Sequence, residues 1–203
     1  MSCHKKIVFS CAVVSVLLLS ILVPIHGIST GAPAAACKDM TPEHGELPQT
    51  TTSPFKTEIP VGAYVLMDDS VKIELRSTTS DTFKGFLVMA FDSEDASTPI
   101  GTFKQPVNEL AQLMNCTSDG VLNAATHTTS AEKTLVNLEW QPPKYYMGTA
   151  VFRTTYVKDK KTYWIKTESI TVSFVMEIPS SAPRSNSVWA GLMAVSLLAF
   201  LMR

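Results

Sequence analysis

Charge and cysteine are both scarce in this chain, and each scarcity closes off a class of function. Charged residues fill 17% of the 203 positions, against about a quarter in an average globular protein. The 17 basic residues nearly cancel the 18 acidic ones. No basic stripe offers a track for phosphates, so nucleic acid is not an expected partner. Four cysteines are too few for a disulfide-dense miniature scaffold, and the lack of a C-x-x-C pair leaves a redox or zinc role without support. Missing as well are G-x-S-x-G, H-E-x-x-H and any Gly-rich phosphate loop. A hydrolase needs a nucleophile, a base and an orienting group. Beyond residue 28 only His44 and His127 offer imidazoles. No catalytic residue, metal site or cofactor is expected.

What the chain does have is apolar sequence at both ends. His4-Lys5-Lys6 precede the uncharged block Ile7 to Ile25, Pro24 breaks it, and the small residues Gly27, Ser29, Gly31 and Ala32 follow. That order of parts is a secretory signal, placed at 1–28. The other reading is an uncleaved anchor, since about 19 apolar residues span a bilayer; the body is exported under both. At the far end Val188 to Met202 forms the second block, whose fifteen residues would reach only about 22 Å as a helix, short of a hydrocarbon core of about 30 Å. Ser180-Ser181-Ala182, a polar spacer and this short tail have the order of a glycolipid (GPI) attachment signal. Ser180 and Ser181 are the candidate lipid-anchor sites, and the membrane is an expected partner through the tail. A short spacer and the terminal charge of Arg203 depart from that pattern, so a short membrane helix and free secretion stay open.

The expected organisation is a signal peptide at 1–28, one domain at 29–178, a stalk at 179–187 and an apolar tail at 188–203. Cys3 and Cys11 leave with the signal, so Cys37 and Cys116 remain. In an oxidising compartment they most simply form one disulfide; an intermolecular link or free thiols are the alternatives.

The body reads as short strands. Val71 to Arg76 alternates apolar and charged residues, the mark of a strand with one wet face. Phe83 to Phe91 is almost continuously apolar, which predicts a central strand buried on both faces. Gly85 inside it marks a bulge or a close backbone approach. Ile100 to Phe103, Thr134 to Trp140, Ala150 to Val157, Tyr163 to Ile165 and Ile170 to Met176 are further strands, with Lys158 to Lys161 as an exposed hairpin tip. Val107, Leu110, Ala111 and Met114 have helical spacing and predict one or two turns of helix. The polar stretch Ala124 to Ser130 reads as a loop. Seven or eight strands at this spacing predict an antiparallel β-sandwich.

A few residues stand out as candidate sites. Asp68-Asp69 and Asp92, Glu94 and Asp95 could hold calcium, but lack EF-hand spacing and read as solvated loop acids. Asn115-Cys116-Thr117 is an N-glycosylation sequon, so Asn115 is a candidate glycan site. Thr50 to Ser53 could carry O-linked sugars. Tyr145 and Tyr146 are candidate ligand contacts, as part of an exposed aromatic platform for sugars or lipids. Trp140 and Trp164 fit a sandwich core better.

Gly31-Ala-Pro-Ala-Ala-Ala-Cys37-Lys-Asp-Met-Thr-Pro-Glu-His-Gly45, then Pro48-Gln49 and Ser53-Pro54, resembles the start of a reeler (reelin-type) domain. The likeness continues through Phe83 to Ala90, Ile100 to Phe103, Cys116, Ala125 to Thr128, Trp140 to Pro143, Val151 to Tyr156 and Tyr163 to Ile165. Together these blocks cover residues 31–177. The resemblance implies an immunoglobulin-like antiparallel β-sandwich with one disulfide. Single-domain members of this size are similar to insect defence proteins, linked to innate humoral immunity and microbial surface recognition. It therefore implies a non-catalytic extracellular defence protein, secreted or held at the outer cell surface. Its expected partners are microbial surface glycans or lipids and the host cell surface. An adhesion, matrix or developmental protein is the alternative. The family's larger reductase-like members carry additional domains for which this chain is too short, so their redox activity is not expected here.

Overall fold

A computed structural model describes residues 29–180. The expected signal peptide, Ser181 and the tail lie outside the described residues, as does the stalk beyond Ser180. A single 3-10 turn, Ala34–Cys37, precedes eleven strands: β1 (Phe55–Glu58), β2 (Tyr64–Leu66), β3 (Val71–Ser77), β4 (Gly85–Asp92), β5 (Thr102–Phe103), β6 (Ala111–Met114), β7 (Ala124–His127), β8 (Leu135–Gln141), β9 (Thr149–Asp159), β10 (Thr162–Glu168) and β11 (Val172–Val175). They form two sheets, one ordered β1-β3-β8-β5 and the other β2-β11-β9-β4-β7-β6, with β10 also paired to β9. All pairings are antiparallel except β2 with β11. The chain is an immunoglobulin-like β-sandwich with one disulfide, as expected, apart from that one parallel edge.

Side-chain alternation assigns the layers. In β3 Val71, Ile73 and Leu75 are fully buried while Lys72 faces solvent. In β8 Val136, Leu138 and Trp140 alternate inward in the same way. Between the sheets lie edge-to-face aromatics: Phe55 against Phe83 and Trp164, and Trp140 against Phe152. Both indoles sit in this core, with Trp140 Nε1 donating to the Ile100 carbonyl and Trp164 Nε1 to that of Thr51. A buried hydroxyl cluster sits among the aromatics, with Thr57 Oγ1 2.6 Å from Thr154 Oγ1 and 2.9 Å from the Tyr156 hydroxyl. Its members satisfy one another, so their burial carries little desolvation cost.

Strand β4 is buried along almost its whole length, as its continuous apolar run predicted. Phe86, Val88 and Ala90 point into the sandwich. Leu87, Met89 and Phe91 point outward, into a second cluster with Ala36, Met40, Ala124 and Val151. The N-terminal segment 29–46 makes that second core by lying across the outer face as a strap. The Cys37–Cys116 disulfide, with Cα atoms 5.1 Å apart, pins the strap just past the end of β6.

Two local expectations are corrected. Val107 to Met114 is not a helix: residues 107–110 are bend and turn, and Ala111–Met114 is edge strand β6, paired with β7. Asn108 Oδ1 accepts the Leu110 N–H and so holds a turn where a helix would start. Val107, the first residue of the supposed apolar stripe, is fully exposed. Ala124 to His127 is not a loop but the buried strand β7. Its two alanines are small enough to lie under β4's neighbours, and its two polar side chains are used by the cleft described next.

Candidate functional site

The strap does not seal the sheet along its whole length. Between it and the ends of β4, β7 and β9 lies an open cleft of 320 Å³. Small and apolar groups make its walls: Ala32, Pro33, Ala36, Met40 and Pro42 from the strap, Gly85 and Leu87 from β4, and Val157 from β9. The strap's Ala/Pro-rich sequence gives the cleft its room, because no long side chain fills it. Its backbone is held by sheet hydroxyls. Thr126 Oγ1 accepts the Ala32 N–H at 2.9 Å, and Thr155 Oγ1 donates to the Met40 carbonyl at 2.7 Å. Further along, the Tyr163 hydroxyl donates to the Glu46 carbonyl.

An imidazole stands near each end of the trough. His127 lies where the β4–β7 backbone ladder runs out after Leu87 and Thr126. Two side chains then continue the ladder: Thr126 Oγ1 donates to the Phe86 carbonyl at 2.7 Å, and the Phe86 N–H donates to His127 Nδ1 at 3.2 Å. With the Phe86 N–H directed at it, Nδ1 is the acceptor of the neutral ring, whose proton sits on Nε2. Nδ1 also lies 3.3 Å from the Phe86 carbonyl, which accepts from it only when the ring is charged. No described residue accepts from Nε2. The side chain is only 9% exposed, and burial holds its proton affinity below the usual histidine range. The Phe86 backbone opposes that shift and the nearby Lys133 ammonium reinforces it. The ring fits because residue 85 is glycine: a β-carbon there would stand 3.0 Å from His127 Cε1. Gly85 is thus the close backbone approach its place in the apolar run suggested.

Lys133 gave no signal in the sequence. It is almost wholly buried, and its ammonium donates to the carbonyls of Lys84, Thr129 and Ala131 at 2.9, 2.7 and 2.6 Å. Burial lowers its proton affinity. A buried lysine with three carbonyl acceptors places positive charge beneath the His127 end of the cleft. Lys84, another cleft residue, adds a second cation, 3.8 Å from Glu132. At the opposite end stand His44, Glu43, Asp159 and Lys160, the last two from the β9–β10 hairpin tip. His44 stacks edge-on against Tyr163. Its Nδ1 is buried without a hydrogen bond; the Lys160 backbone lies close enough to raise its proton affinity, but burial dominates and lowers it.

The other candidates lie elsewhere. Tyr145 is 64% exposed, with the Lys144 ammonium 4.7 Å from its ring centre, and its N–H donates to Asp68 Oδ1. Tyr146 is half-buried: its ring packs on Phe174 at the margin of the core, and its hydroxyl donates to Asp92 Oδ2 at 2.5 Å. Asp92 and Asp95 spend their other acceptors on the N–H groups of Glu94 and Ser97, and among the described residues no group of three His, Cys, Asp or Glu could hold a metal. Asn115 is exposed, its Oδ1 accepting the Leu122 N–H. Ser180 is exposed at the last described position. No helix among the described residues is long and apolar enough to cross a membrane.

The profile of the reeler domain matches residues 35–180. A putative defense protein of Bombyx mori is 34% identical over 170 residues, covering 81% of this chain and 95% of that protein. Putative defense protein 2 of Antheraea mylitta is 34% identical over 72% of this chain and 90% of its own length. A putative ferric-chelate reductase 1 homolog of Drosophila melanogaster is 30% identical over 79% of this chain, but the match spans only 25% of that protein. Among solved structures, the human F-spondin reeler domain superposes with a TM-score of 0.54 at 16% identity, over 64% of this chain and 94% of that one. This likeness confirms the fold alone. Profile, relatives and fold agree, and this chain belongs to the reeler family.

Proposed function

We propose that this chain is a non-catalytic, extracellular binding module of the defence type, and that it holds molecules of the microbial surface in the strap cleft. Relatives named as defence proteins that match over nearly their whole length support the defence-type reading. The Cys37–Cys116 disulfide supports an oxidising compartment. The observation that carries the binding role is the cleft itself. It is open and apolar-walled, and it holds an imidazole N–H that no described residue accepts. A volume of 320 Å³ falls at the lower end of the roughly 300–1,000 Å³ of ligand sites. Of the two microbial classes expected, lipids fit better than glycans, because the walls offer no exposed phenyl, phenol or indole ring on which a sugar could stack.

Display on the cell through Ser180 or Ser181 and a GPI anchor completes the proposal, and phospholipase release from intact cells tests it. The cleft is tested by sedimenting the protein, purified from cells expressing the full chain, with washed bacterial envelopes. Val157→Trp, which fills the cleft from a half-buried wall position, reduces the bound fraction at least fivefold. Equal sedimentation of both proteins would move the binding surface elsewhere.

A further inference from the structure

We infer that the strap cleft takes a single acyl chain with an anionic oxygen head, the head meeting His127 Nε2–H at the cationic end and the chain lying along the trough toward His44. This deepens the proposed function and rests on its choice of the cleft. Three observations set the orientation. First, His127 is nine-tenths buried and keeps one donor without a described partner. Its other nitrogen is committed to the Phe86 N–H, so the ring can offer Nε2–H without disturbing the ladder. That nitrogen opens onto the cleft, where a ligand's acceptor oxygen can reach it.

Second, the charges around the trough are unevenly placed. The His127 end has the Lys133 ammonium beneath it and Lys84 beside it. Glu132 faces Lys84 at the long distance of 3.8 Å, and among the described residues the Lys133 ammonium meets only neutral carbonyls. The His44 end instead mixes Glu43 and Asp159 with Lys160. An anionic head is therefore favoured at His127 and disfavoured at His44. Third, the walls between the two ends are Ala36, Met40, Leu87 and Val157. Methionine adapts its three torsions to an irregular chain, and none of these four offers a hydrogen bond to a sugar hydroxyl.

The test is calorimetric titration of the protein, purified from cells expressing the full chain, with three dodecyl probes below their micelle concentrations. Laurate carries the anionic head, lauroyl lysophosphatidic acid the esterified version, and dodecylammonium the same chain with a cationic head and no acceptor. Laurate or the lysophosphatidate binds at least tenfold more tightly than dodecylammonium, and whichever of the two is tighter names a free or an esterified source. Val157→Trp abolishes binding. His127→Phe, which keeps the ring's bulk but offers no N–H, weakens laurate about tenfold, as expected for one charge-assisted hydrogen bond. It leaves dodecylammonium unchanged. Should His127→Phe fail to fold, the comparison of head groups on the wild-type protein still decides. Equal affinity for anionic and cationic probes overturns the head-group assignment while leaving the cleft as the site. Failure of all three probes, with envelopes still sedimenting the protein in a Val157-dependent way, overturns the acyl class alone. Failure of the envelopes as well overturns the proposed function itself.

Discussion

A single phenol fastens the loop before β9 to the core. The Tyr146 hydroxyl bonds to Asp92, and that bond is the main reason the carboxyl sits below its usual range. Tyr146→Phe keeps the ring on Phe174 and removes only the bond, so it costs about 1–2 kcal/mol, measured by urea unfolding at pH 7. Because the folded-state affinity of Asp92 for a proton is lowered, its contribution is present above about pH 4 and fades as the pH falls below that. The difference between wild type and variant therefore shrinks toward pH 2.5. His127 works at a different pH. Burial lowers its folded-state proton affinity, so the unfolded chain takes up the proton first as the pH falls through about 6.5. Stability drops between pH 7 and 5, and part of that drop disappears in His127→Phe; His44 contributes with the same sign. A slope unchanged in the variant would mean that the ring is not held neutral. Gly85→Ala sets a methyl against the imidazole and costs about 1–3 kcal/mol by overpacking. Gly85 was legible because a glycine inside an apolar strand needs a reason. Lys133 was not: nothing in Glu-Lys-Thr says that this lysine is buried, since its three carbonyl acceptors come from two separate segments.

Among the elements, the strap carries most of the consequence. The disulfide closes a separation of 79 residues, for which the chain-entropy relation gives about 4.5 kcal/mol as an upper figure. The double variant Cys37→Ala/Cys116→Ala loses a large part of that. Freed of its pin, the strap also uncovers Leu87, Met89 and Phe91. The variant then binds a hydrophobic dye and is cut by protease within 29–46 while the sandwich survives. Strand β4 was readable in advance because a strand buried on both faces needs an unbroken apolar run. The strap that buries its outer face was not. Its alanines and prolines have no period, and its contacts with Thr126 and Thr155 join positions about ninety or more residues apart. The error at Val107 to Met114 has a related cause. Four apolar residues at helical spacing cannot be told from a turn followed by an edge strand until the partner, β7, is known.

At the scale of the whole molecule, β9 runs from Thr149 to Asp159, a length of roughly 30 Å. The cleft gathers at its far end, at Thr155, Val157 and Asp159, while Tyr145 lies just before its start. The sandwich therefore has two distinct surfaces, and they make different predictions. The central claim is that ligand enters between strap and sheet. Its most direct test is amide chemical-shift mapping of the isotope-labelled protein during titration with laurate. The account predicts saturable shifts at strap residues 31–44, at Gly85 to Leu87, at His127 and at Thr155 to Lys160, with Tyr145 and its neighbours unmoved. Saturable shifts centred on Lys144 to Met147, with the strap and Gly85 to Leu87 unmoved, would contradict it.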